Sequence, residues 1–151
     1  MQKDVLVIVS GTLFGSTDDG EPEDIQVISP GEYFLKNNKH YVMYEERMED
    51  FEEPTRNLLK ITPDEISIRK RGLVNTEMVF QRKGTTSAHY TTPYGNLVLG
   101  IHAREMKVQE EEERIRVRVD YDLEINYEHV SRCSIQIQVQ SQDGQSFSLT
   151  S

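Results

Sequence analysis

Residues 115–125 read "IRVRVDYDLEI", and their alternation decides the fold. Ile115, Val117, Val119, Tyr121, Leu123 and Ile125 fall on one side of an extended chain. Arg116, Arg118, Asp120, Asp122 and Glu124 fall on the other. Successive side chains of a strand point to opposite faces, so this is a long strand with one apolar and one charged face. The same period spreads outward from it. "SIQIQVQ" (134–140) sets Ile135, Ile137 and Val139 against glutamines, with Cys133 in the apolar phase. "NLVLGIHA" (96–103) aligns Leu97, Leu99, Ile101 and Ala103; "EISIRK" (65–70) aligns Ile66 and Ile68; "TEMVFQ" (76–81) aligns Met78 and Phe80.

Between these runs lie "DDGEPED", "SPGEY", "KNNKH", "TPDE", "RKGTT" and "QDGQ", clusters of the residues that turns require. Strands are expected at 4–14, 24–28, 32–36, 40–47, 55–62, 65–71, 75–82, 85–92, 95–107 and 113–126, with an eleventh at 130–141. Only "SPGE" divides 24–28 from 32–36, which reads as one bent strand in two halves. "YEERMEDFEEPTRNLL" (44–59) is the one weak candidate for a helix, but Pro54 breaks it, and it reads as strand end, loop and new strand. Most gaps are of hairpin length. Consecutive hairpins with one apolar face make either a sandwich or a closed barrel, and strands as long as 113–126 favour the barrel. The expected fold is all-β: a single antiparallel up-and-down β-barrel domain over residues 1–151, with about eight to ten strands.

Composition narrows the function classes. The 151 residues carry a formal net charge of -9, with 28% charged and 36% hydrophobic residues, as befits a globular chain. Such a chain repels phosphate backbones and anionic membranes, so neither nucleic acid nor membrane is an expected partner. "IRKRG" (68–72) is the only dense basic cluster, and on a strand it reads as a solvated edge. A lone cysteine and four scattered histidines offer neither an internal disulfide nor zinc-ligand spacing. The apolar start "MQKDVLVIVSGTLF" turns polar at once, without a convincing cleavage site, and nothing approaches a membrane span. A reducing cytoplasm is the expected compartment, and no cofactor is implied.

The stretch richest in chemistry is "HYTTPYGNLVLGI" (89–101). Its Pro93 and Gly95 suit a tight turn with positive φ at the glycine, so it reads as a hairpin corner. His89 lies opposite Tyr90 in phase and is expected in solvent. Asp120 and Asp122 sit on the charged face of their strand, Cys133 reads as a small core residue, and "EEEE" (110–113) reads as a solvated turn. No nucleophile and base come together, and a non-enzymatic protein is expected. One constellation stands apart. Glu46 is in phase with Val42 and Tyr44, and Lys70 with Ile66 and Ile68, so both charges face the apolar side at strand ends. An inward charge needs a partner.

"YVMYEER", "ISIRKRG", "MVFQRKG", "HYTTPYGNLVLGI" and "RVRVDYDLEI", in this order over residues 25–140, resemble the YwiB-like family of small bacterial proteins. The likeness rests on Tyr44, Glu46, Lys70, Gly72, Phe80, Tyr90, Gly95 and Tyr121. It implies a calycin-like barrel, related in shape to lipocalins and fatty-acid-binding proteins and found mostly in Gram-positive bacteria. It implies no activity, since the family is a domain of unknown function. The expectation is a barrel that binds a small apolar or amphipathic ligand inside, with Tyr44, Glu46, Lys70, Phe80, Tyr90 and Tyr121 as the candidate set. The rival expectation is a protein-interaction module using an acidic outer face or an open edge strand.

Overall fold

Ten antiparallel strands follow one another in a computed structural model that describes residues 2–13, 23–47, 52–93 and 95–142. They are β1 (Gln2–Leu13), β2 (Glu23–Lys36), β3 (Lys39–Glu46), β4 (Thr55–Ile61), β5 (Glu65–Arg71), β6 (Thr76–Gln81), β7 (Gly84–Thr92), β8 (Gly95–Glu110), β9 (Arg114–Ile125) and β10 (Glu128–Ser141). The sheet order is β6-β5-β4-β3-β2-β1-β10-β9-β8-β7, so nearly every strand pairs with its neighbour in sequence. The first and last strands meet where β1 pairs with β10. At the other seam, β6 and β7 are tied by reciprocal backbone bonds between Asn75 and Thr91, each 2.9 Å. The result is the antiparallel, nearly closed barrel that the alternation predicts. The two expected half-strands at 24–28 and 32–36 are indeed one strand, bent through Ser29-Pro30-Gly31.

Turn chemistry sets the register. Asn37 and Asn38 have φ of 53° and 62°, a two-residue turn whose twist matches the β2–β3 pair. Asn126 and Tyr127, at 51° and 70°, do the same between β9 and β10. That second turn carries no glycine or proline and escaped the list of turn signals. Gly95 has φ of +141°, as the corner reading requires, while Tyr94 beside it lies outside the described residues. Gly11, at +139°, lets β1 approach β10: a Cβ there would lie 2.1 Å from the Ser134 carbonyl oxygen.

The core is the inner face. Ile115, Val117, Val119, Tyr121 and Leu123 are all at most 6% exposed, and their outward neighbours Arg116, Arg118 and Glu124 are exposed. β8 shows why phase cannot be extrapolated along a whole strand. An irregularity between Ala103 and Glu105 resets it, so Leu99, Ile101 and Ala103 point inward before it and Met106 after it. Phe80 and Tyr121 meet edge to face in mid-barrel, with centroids 5.0 Å apart. The middle of the barrel is therefore filled by side chains.

Two outcomes check this packing. Val119→Asp buries an unpaired carboxylate in a fully enclosed position and should cost about 3 kcal/mol or more in a denaturant titration. Asp120→Val, on the outer face, should change stability by no more than about 0.5 kcal/mol. Gly95→Ala should destabilise by about 1 kcal/mol because of its φ, although nothing lies within 4 Å of the added methyl.

Candidate functional site

At one mouth of the barrel the inward positions change from apolar to polar. The pairs Tyr44↔Asn57, Glu46↔Thr55, Asn57↔Lys70 and Lys70↔Thr76 run across β3 to β6, one step beyond the aliphatic layer of Val42, Leu59, Ile68 and Met78. The Lys70 Nζ donates to Glu46 Oε1 at 2.5 Å and to Asn57 Oδ1 at 2.9 Å. Only 18% and 25% of the Lys70 and Glu46 side-chain surfaces remain exposed. A charge drawn this far from water needs a partner, and each of the two supplies the other's. Tyr44 is almost enclosed, and burial, then the nearby Glu46 carboxylate, raises its hydroxyl pKa well above the usual phenol range. The same two causes, in the same order, raise Tyr90 on β7.

Two hydroxyls complete this mouth, and both are orphans. Thr55 and Thr76 are 2% and 8% exposed, and neither Oγ1 has a hydrogen-bond partner among the described residues. They stand directly across the strands from Glu46 and Lys70, flanking the ion pair. A buried polar atom without a partner costs about 1–3 kcal/mol and calls for an explanation. Tyr44, Glu46 and Asn57 also line a depression of about 1430 Å³ that opens outward over Ile28, Met43 and Leu58.

Of the expected site residues, Tyr44, Glu46, Lys70 and Tyr90 gather at this mouth. Phe80 and Tyr121 do not: they pack on each other deeper in the core, where burial and then the adjacent Cys133 raise the Tyr121 hydroxyl pKa. His89 is exposed, and Cys133 is buried and forms no disulfide among the described residues. Among the described residues no group of His, Cys, Asp and Glu is placed to hold a metal ion.

Sequence reading missed a second polar cluster at the opposite mouth. Tyr33 on β2 is fully buried, and its hydroxyl lies 2.7 Å from His40 Nδ1 on β3. Burial, and then the charge of Glu110, pushes the Tyr33 pKa up to about 12, so the phenol keeps its proton and donates it. His40 Nδ1 therefore accepts, which leaves Nε2 carrying hydrogen toward Glu110 Oε1 at 3.5 Å. Lys3 Nζ sits 5.6 Å from the centre of the Tyr33 ring. Glu110 ends β8 opposite Ile115, and its side chain stays 36% exposed to water while it reaches His40. The signal was present, since His40 shares its phase with Val42 and Lys3 with Val5 and Val7.

Removing one charge from the first mouth should strand the other. Glu46→Gln or Lys70→Met should each cost about 1–3 kcal/mol, while the double variant should recover part of that loss, as a double-mutant cycle in urea would measure. At the second mouth, burial lowers the His40 pKa below its unfolded value of about 6.5 and outweighs the opposing effect of Glu110. The unfolded chain then binds the proton more readily. The contribution of neutral His40 is fully present above about pH 6.5 and is lost as pH falls through the lower folded pKa. Wild type should lose more stability than His40→Gln between pH 7.5 and pH 5 in paired denaturant titrations.

Comparison with known proteins agrees with this architecture. Residues 12–137 match the family described as "Domain of unknown function (DUF1934)". The uncharacterised beta-barrel protein YwiB of Bacillus subtilis (strain 168) is 30% identical over 82 residues, covering 54% of this chain and only 56% of that protein. The crystal structure of the ywiB protein from Bacillus subtilis superposes with a TM-score of 0.77 at 23% identity, covering 93% of this chain and 92% of that one.

Proposed function

The chain belongs to the YwiB-like family, a domain of unknown function, and we propose that it is a non-enzymatic protein that holds a small, partly apolar molecule at one mouth of the barrel. The observation that carries this is a depression of about 1430 Å³ into which the Lys70–Glu46 pair brings its carboxylate partner, Glu46, beside Tyr44 and Asn57. Ligand sites are mostly apolar concavities with a few convergent polar groups. Here the convergent groups are the polar side chains of Tyr44, Glu46 and Asn57, which line the depression. Because Glu46 and Lys70 neutralise each other, the complement is a head group that both accepts and donates, such as an amide or a protonated acid, rather than a bare polyanion. The apolar remainder has Ile28 and Met43 to lie on, both exposed without it.

The filled mid-barrel argues for a mouth site rather than a deep one. The lipocalin-like and fatty-acid-binding shape that the family resemblance implies supports the same class of function, although fold alone does not fix it. An outer face bearing exposed Arg116, Arg118 and Glu124 is unsuited to lipid contact, and a buried Cys133 outside any disulfide suits a reducing compartment, so the cytoplasm is the proposed location. Docking through an open edge strand has less support, since the terminal strands β6 and β7 face each other across the Asn75–Thr91 bonds.

Ligand-observed NMR against a library of amphipathic amides and short-chain acids should find binders. Glu46→Gln should weaken them by about tenfold or more, the worth of one charged hydrogen bond, with the circular dichroism spectrum unchanged. Binders indifferent to Glu46→Gln, or none at all, would overturn the reading.

A further inference from the structure

We infer that the outer face of β2–β5 is an isologous interface for a second copy of this chain. Three of the five large hydrophobic side chains most exposed among the described residues, Leu6, Ile28 and Met43, lie on the outer face of β1–β3, at 36%, 59% and 45% exposure. The charges around them are not scattered. Read across the strands in register, one outer row runs Glu32, Met43, Leu58, Arg69, and the next contains Glu45 followed by Arg56 and Arg71. Both rows are acidic on the β2–β3 side and basic on the β4–β5 side, and the first has its apolar pair in the middle.

That pattern is its own complement. A two-fold axis lying along the β3–β4 boundary, parallel to the strands, sets Glu32 over the partner copy's Arg69 position, Met43 over Leu58, and Glu45 over Arg56. Each contact occurs twice, as an isologous interface demands. The perpendicular two-fold would set base on base and acid on acid, so charge selects one geometry and rejects the other. The isolated chain also carries a like-charge cost on this same face. Arg56 and Arg71 stand directly opposite each other on adjacent strands, a destabilising like-charge placement. Arg56 has Glu45 at 3.8 Å, and Arg69 has Glu77 at 3.4 Å, but among the described residues Arg71 has no carboxylate within 4 Å. The depression beside Glu46 opens along this same face, so two copies would enclose it between them. The dimer does not rest on that site being occupied.

Sedimentation velocity of the intact chain from about 1 to 500 µM at low salt should reveal a species of twice the 17.5 kDa monomer. High salt should weaken it. Met43→Glu should abolish it while leaving the circular dichroism spectrum intact. The charge test is sharper. Glu45→Arg and Arg56→Glu should each remain monomeric alone, yet an equimolar mixture of the two should form a heterodimer, and the double variant should dimerise again. A wild-type chain that stays monomeric throughout, or a dimer that ignores Met43→Glu, overturns the inference. A monomer that still binds amphipathic ligands would leave the mouth site standing without it.

Discussion

Every strand here has one face that water should not see, and a sheet with one apolar face has to bury it against something. With no described helix to cover it, the sheet covers itself. That single constraint dictates the rest: ten strands in sequence order, short turns, and β1 brought round to β10. It also dictates where polar chemistry can exist. In mid-barrel every inward position is enclosed by its neighbours, so an unpaired polar group there is prohibitively costly. Only the two mouths tolerate charge, and both mouths hold it.

The sequence made the barrel legible because period two survives every local accident. The phase of 115–125 was sufficient to assign Ile115 to the core and Arg116 to solvent, and Glu46 and Lys70 could be set inward by the same count. What phase cannot supply is which inward residues meet across the barrel. Phe80 and Tyr121 are in phase like the others, yet they reach each other and not the ion pair, because depth along the axis depends on stagger between strands. His40 and Glu110 were lost for a related reason. They are some seventy positions apart in sequence, and they become partners only when the sheet closes. Glu110 was further hidden inside an acidic run whose remaining members belong to the turn.

The two mouths differ in how they are held. Lys70, Asn57 and Glu46 come from three consecutive strands, β5, β4 and β3, so their bonds run along the wall and brace only that side. His40 and Glu110 come from β3 and β8, which lie five places apart in a ring of ten and so stand on opposite walls. Their contact crosses the opening. It ties β3 to β8 directly, while the Tyr33 hydroxyl of β2 holds the other nitrogen of the His40 ring.

The two ends are therefore tied differently. One is spanned from wall to wall, and the other is braced along one wall alone. At the braced end β2 has separated from β3: its first half, through Pro30, pairs with β1, and pairing with β3 begins at Gly31. Exposed Ile28 and the depression beside Glu46 lie at that divergence. The bend at Ser29-Pro30-Gly31 is therefore more than a corner in a long strand. Pro30 has no N–H with which to continue the ladder, and Gly31 lets the β3 backbone come close, since an added Cβ would meet the Met43 carbonyl oxygen at 2.8 Å. The "SPGE" that divided two expected strands in the sequence marks the point beyond which β2 pairs with β1 alone.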